Sequence, residues 1–286
     1  MKKYVIVTDS GSDLSVLELR KSNVISLPLS VKIRDEERED YAFSPAEFYK
    51  MMRGGDTAKT SAVNYKSFLD KFRSIAASGQ DALYIGLSSG ISSTFSSAKA
   101  AADRIKREMP ERKILTLDSK CASAGLGLLV HLTAEKKSEG ADIYEAFEYA
   151  KSLAPSICHR FTVDDLSYLR RGGRISMASA FFGNALGIKP LFYVDSGGFL
   201  KPSDRVRGRR AAIESLVHSY HEHGGDKHSE CIFISHADCE ADAKLLSETL
   251  YKKYSKRAAK IFDIGAVIGA HAGPGTLALF FVGEAR

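Results

Sequence analysis

The stretch LSSGISSTFSS at residues 87–97 gathers Ser88, Ser89, Ser92, Ser93 and Thr94 between an apolar run and a helix-forming one. Backbone N–H groups at a helix start have no intrahelical partner and carry partial positive charge. An anion is therefore stabilised there, and neighbouring hydroxyls add directional donors. A carboxylate or a phosphate suits such a place. The bland alternative is that Ser92 or Ser93 only caps the helix. A second hydroxyl pair, Thr60 and Ser61 in KTSAVN, stands at what the pattern predicts as the entry to another helix. Alone it reads as a cap. If both segments reach one sheet edge, Thr60 and Ser92 converge on a single pair of oxygens.

Two cationic or donor groups join the list. Arg170, Arg171 and Arg174 surround Gly172 and Gly173 at a predicted helix end. They either satisfy the last carbonyls or, in the case of Arg174, reach the anion. His271 lies in AHAGPG, read as a Gly/Pro-rich turn between apolar strands, where it serves as a structural donor or as a ligand contact. No GxSxG, HExxH or GxxxxGK[ST] is present, so hydrolase, metalloprotease and P-loop chemistry have no motif support. No catalytic residue is assigned. The competing reading, a self-contained hydrolase or phosphotransferase acting on a small anionic lipid, needs His271 to work with Ser92 or Asp118. Cys121, Cys158, Cys231 and Cys239 form no CxxC pair and lack zinc-site spacing, so neither a metal nor a disulfide is expected.

These groups must be placed by the elements around them. Val/Ile/Tyr-rich runs alternate with amphipathic segments, the signature of βα units and a mainly parallel sheet. Tyr4–Thr8, residues 23–32 with Pro28 inside, residues 81–87 and 113–117 read as strands, and 34–40 as a polar tip. SPAEFYKMMRGG carries its own start and stop, a Ser cap with Pro behind it and paired glycines at the end. Further along, PLFYVDSGGFLKPSDRVRG predicts a β-hairpin, and helices and strands from residue 210 to 264 complete a second α/β unit. At 286 residues the chain exceeds one typical α/β domain of ~100–200 residues. The fold class expected is α/β, with two α/β domains, 1–160 and 161–286, and a ligand site between them.

The charge balance narrows the partners. The net charge is +6, which suits an acidic ligand, an acidic protein or a membrane surface. The basic residues are dispersed and no nucleic-acid module accompanies them, so no nucleic-acid partner is expected. The apolar run after MKK is too short for a signal peptide, and no later run approaches ~18 apolar residues. A cytoplasmic location is the resulting expectation.

Eight motifs in order resemble the bacterial DegV family of fatty-acid-binding proteins: TDSGSDL, KTS, LSSGISSTFSSA, LDSKCASAGLG, FTVDDLSYLRRGGRIS, IKPLFYVDSGGFL, RVRGRRAA and IGAHAGPG. The resemblance implies a two-domain α/β protein that buries an acyl chain between its domains. It implies Thr60 and Ser92 as carboxylate contacts, with Ser61 and Ser93 beside them and Arg174 and His271 as nearby polar or partner-facing residues. It implies no cofactor beyond the bound long-chain fatty acid. It also implies a separate fatty acid kinase as partner, which makes an acyl phosphate, and it allows transient contact with a membrane. This chain has TSAVN where the family often has TSxPS, and ISSTF where it often has LSGTY, which adds the Ser93 side chain beside the head group. Residues 176–192, SMASAFFGNALGIKPLF, are candidate tunnel walls.

Overall fold

The computed structural model describes residues 3–175, 187–254 and 259–286. The first half runs β1 (Tyr4–Asp9), α1 (Val16–Lys21), β2 (Val24–Leu27), β3 (Ser30–Ile33), β4 (Glu36–Glu39), α2 (Pro45–Arg53) and β5 (Ala58–Ser61). It continues through α3 (Tyr65–Ala77), β6 (Asp81–Gly86), α4 (Thr94–Glu108), β7 (Ile114–Asp118), α5 (Ser123–Ser138) and α6 (Ile143–Leu153). The second half runs β8 (Ile157–Thr162), α7 (Ser167–Arg171), β9 (Ile188–Val194), β10 (Leu200–Arg207), α8 (Arg209–Glu222) and α9 (Gly225–His228). It ends with β11 (Phe233–His236), α10 (Glu240–Tyr254), β12 (Lys260–Asp263), α11 (Ala266–Ala272) and β13 (Leu277–Val282).

Among the described residues three sheets form. The order β2-β1-β6-β7 is parallel throughout, and every residue of β1 and β6 is buried, as a sheet covered on both faces requires. The order β10-β9-β8-β13-β11-β12 is mixed, with only β11 and β12 parallel, which corrects the expectation of a mainly parallel sheet in the second half. A small antiparallel sheet, β4-β3-β5, stands apart.

Other expectations also change. The single strand foreseen over 23–32 is two strands in different sheets, β2 and β3, parted around Pro28. The polar tip at 34–40 contains β4. KTSAVN leads into a helix as read, but its cap is Asn64 before α3 at Tyr65, while Thr60 and Ser61 lie on β5 with Thr60 set against Val31. Pairing with β3 outweighs the capping tendency of the hydroxyls. IGAVIGA, expected as a strand before His271, forms α11. Residues 176–186 of the candidate tunnel wall fall outside the described residues. The division foreseen at 160 runs through β8; one between α6 and β8 keeps that strand whole and is the natural proposal.

Two helices tie the halves together. α5 packs on β8, β11 and β13 and also on β1 and β6, while α11 packs on β3, β5 and α2. Tyr49 Oη donates to the Ile264 carbonyl at 2.8 Å. The start of α11 is held by two buried carboxyls from the first half: Asp13 accepts from the Gly265 N–H at 2.9 Å and Asp40 from the Val267 N–H at 3.0 Å. Those amides have no intrahelical acceptor, so the carboxyls fill a need created by the helix itself.

Burial pushes the Asp40 carboxyl up to about 6, against the opposing hydrogen bonds from Ser10 and the first amides of α11. A folded-state pKa above the unfolded value means that the native state holds this proton more tightly. The associated stability is present below the unfolded pKa and disappears as pH rises to about 6. Asp40→Asn removes this dependence. The stability of the wild type relative to the variant is expected to fall by roughly 2–3 kcal/mol between pH ~4 and pH ~7, measured by urea unfolding at both. A difference that stays constant with pH contradicts the assignment.

Candidate functional site

A cavity whose empty space, counted together with the open solvent at its mouth, is about 750 Å³ lies where the small sheet, the Ser-rich loop, α11 and the face of the six-stranded sheet meet. Its walls are mostly apolar. Leu29, Leu87 and Ile91 come from the first half, and Phe161, Val194, Leu200, Val267 and Ile268 from the second. Thr60, Ser92, Arg174 and His271 all line it, brought together from four separate stretches of chain. Thr60, Arg174 and His271 also border an outer cleft of about 780 Å³ edged by Thr57, Lys59, Tyr168 and Arg171. The polar cluster therefore stands at the mouth, and the apolar walls lie behind it.

The hydrogen-bond roles of the two hydroxyls follow from their surroundings. Thr60 Oγ1 lies 2.8 Å from His271 Nε2. Burial, then the charge of Arg174, pushes His271 down to about 4, so its ring is neutral near pH 7. Its Nδ1 is buried with no partner among the described residues, against Gly172, where a Cβ would overlap that nitrogen. A proton placed on Nδ1 would be an unmet buried donor. With the proton on Nε2 the ring donates to Thr60, and the Thr60 hydroxyl hydrogen remains free for the cavity.

Ser92 reaches the same condition by another route. Its Oγ accepts the Thr94 N–H at 3.2 Å and lies 2.9 Å from Thr94 Oγ1. Capping is thus part of its work, as the bland alternative held, and where Thr94 Oγ1 donates to it the Ser92 hydrogen is free for the cavity. Arg174 donates to the carbonyls of Ile91 and Gly172, and no described carboxylate forms an ion pair with it. One of its two carbonyl partners is the last turn of α7, as the alternative reading of these arginines proposed.

The remaining expected residues separate from this group. Ser61 is exposed, as alternation along β5 dictates for the neighbour of an inward Thr60. Ser93 is exposed, occupies the cap position of α4 and makes no capping bond. Neither lines the cavity. His271 sits in the last turn of α11, not in a turn between strands. Asp118 is paired with Lys120 at 2.7 Å and accepts from the Ser89 N–H, away from the cavity, while His271 is bonded to Thr60. The pairing of His271 with Asp118 is therefore not formed, while His271 and Ser92 line the same cavity with no hydrogen bond between them among the described residues.

Sequence reasoning missed three buried polar residues in the walls: Ser123, His159 and Thr276. Their hydrogens are spent on protein. Ser123 bonds to Asp13, and Thr276 donates to the carbonyls of Ala272 and Gly273 at 2.8 and 2.9 Å. Ser123 and Thr276 stood within or beside quoted motifs, whereas nothing in the local sequence marks His159. Among the described residues no group of side chains could hold a metal ion, and no helix is long and apolar enough to cross a membrane.

The α/β framework holds an apolar cavity with hydroxyls at its mouth, a shape suited to an amphipathic anion. The chain belongs to the DegV family, whose model matches residues 3–284. A DegV domain-containing protein of Clostridium perfringens is 36% identical over 289 residues, covering 100% of this chain and 99% of that one. Among solved structures, a DegV lipid-binding protein from Thermotoga maritima is 30% identical with a TM-score of 0.86, covering 99% of both chains. A DegV family protein from Thermus thermophilus, described as binding fatty acid, is 28% identical with a TM-score of 0.88, covering 99% of this chain and 100% of its own.

Proposed function

We propose that this protein binds a long-chain fatty acid, holds its carboxylate with Thr60 and Ser92 at the cavity mouth, and presents that carboxylate to a separate fatty acid kinase. The observation that carries the reading is the state of the two hydroxyls. Thr60 accepts from His271 and Ser92 accepts the Thr94 N–H, so both hydroxyls can turn a hydrogen toward the same space. Arg174 adds beside them a positive charge that no described carboxylate pairs with. Behind the mouth, burial of the acyl chain contributes ~0.8 kcal/mol per CH₂, while the charged head is kept from uncompensated desolvation by the donors. The fatty-acid-binding description of the Thermus relative agrees with this chemistry.

Presentation rests on the outer cleft. Thr60, Arg174 and His271 border both spaces, so a carboxylate oxygen held there faces outward while the tail stays enclosed. Native mass spectrometry of the purified protein is expected to show a bound straight-chain acid that organic extraction releases. Protein that carries none and refuses such acids in titration overturns the binding. Acyl phosphate formation should require an added kinase, and turnover of acid and ATP by this chain alone overturns the carrier role.

A further inference from the structure

The register of the six-stranded sheet orders the cavity from mouth to depth. β13 pairs with β8 so that Ala278 faces Phe161 and Phe280 faces His159. β8 pairs with β9 so that Phe161 faces Phe192 and Arg160 faces Tyr193, which brings Val194 beside His159; Val194 in turn faces Leu200 on β10. Leu200, Val194, His159 and Phe280 thus form one row across four strands, and all four line the cavity. Phe161 and Ala278 form the row before it, two residues or ~7 Å nearer the end of β8 that leads to α7 and Arg174. Thr276 lies just before β13, which carries Ala278 and then Phe280, and from His271 at the mouth α11 runs back through Val267 toward Ile264, just before its cap. The three elements agree on the direction.

His159 is the one polar member of the deep row, and it is fixed. Its Nε2 accepts the Ala122 N–H at 3.2 Å at the start of α5, so the neutral ring carries its proton on Nδ1 and donates to the Ile157 carbonyl at 2.9 Å. Burial pushes its pKa down to about 3, consistent with a neutral ring. The ring stands edge-on to Phe280, with centroids 5.3 Å apart at 88°. Behind both is Gly125, where a Cβ would overlap both side chains. With both nitrogens engaged by the backbone, the ring offers only carbon to the tunnel. It cannot swing aside without breaking two buried bonds.

We infer that His159, locked between α5 and Phe280, is the end stop of the tunnel and sets the longest acyl chain that fits. The inference rests on the fatty-acid reading of the cavity and adds a length limit to it. A wall that could re-pack would accept longer acids with a gradual loss of affinity. A stop held by two backbone bonds gives a sharp limit instead.

The test is a titration of the whole protein with saturated straight-chain acids of about twelve to about twenty-two carbons. Affinity is expected to rise roughly fourfold per added carbon up to an optimum and then to drop. His159→Ala should move the optimum at least two carbons longer and leave shorter acids bound as before. Ala278→Leu, which fills the row nearer the mouth, should move it shorter. Should His159→Ala not fold, Phe280→Leu takes its place with the same expected direction. An optimum unmoved in the folded variants overturns the end stop and leaves fatty-acid binding standing. A wild type that binds no member of the series removes both.

Discussion

Replacing Thr60 and Ser92 together by alanine is expected to weaken binding of a long-chain acid by at least ~100-fold. A hydrogen bond to a charged group contributes ~1.5–3 kcal/mol, so two of them around one carboxylate correspond to roughly 10²–10⁴ in affinity. The singles should each lose about ten- to about hundredfold, and because both act on one head group their sum need not equal the double. Each substitution also has a local cost. Ser92→Ala strips the cap from the Thr94 N–H, worth ~1 kcal/mol of stability. Thr60→Ala leaves the buried His271 Nε2 without its partner. Thermal unfolding alongside the titration separates these from loss of the ligand bonds. A double variant that is folded and binds the acid like the wild type places the carboxylate elsewhere.

Asp13→Ala carries the largest expected loss of stability, ~2–4 kcal/mol. The carboxyl accepts from the Gly265 N–H at the start of α11 and from the Ser123 hydroxyl at the start of α5, and the residue is buried. Truncation leaves an amide and a hydroxyl unmet in the interior, and each such group costs ~1–3 kcal/mol. Ser123 can turn part of its bonding to Ser235, which is 3.0 Å away, so the amide dominates. Burial raises the Asp13 carboxyl well above the usual carboxylate range, so its charge is not what matters most. Asp13→Asn, which keeps an acceptor oxygen, should therefore lose less than half as much. Urea unfolding of the two variants decides: equal losses show that shape or charge, not acceptance, explains the effect.

The two halves of the protein were legible to different degrees, and the reasons are physical. β1 and β6 are buried on both faces, so their apolar runs are continuous and unmistakable. α2 is announced by Ser44, which caps Glu47, and by Pro45. β5 and α11 were misread because their residues are small, β-branched or hydroxylic, and neighbours decide the conformation of such segments. Thr60 became a strand residue because β3 lies beside it, and AVIGAHA a helix because Asp13 and Asp40 wait at its start. The site was legible as chemistry before it was legible as place. Thr60, Ser92, Arg174 and His271 line one cavity, whereas strand alternation turns Ser61 outward and Ser93 is exposed at the cap of α4. His159 is visible only through strand register, which no local pattern encodes.

The proposed head-group site draws one residue each from β5, the segment before α4, the segment after α7 and the end of α11. A carboxylate seated there works as a stitch across the seam between the two halves, and whatever it stitches it also strengthens. Mass action makes the strengthening calculable: at a free acid concentration ~100 times its dissociation constant the folded state gains ~2.7 kcal/mol. Protein stripped of its cargo should melt earlier and be cut sooner by proteases. Exchange of cargo should be slow, because the seam has to part before the tail can leave. The carrier role proposed above is best served by a partner that modifies the exposed end without pulling the rest out.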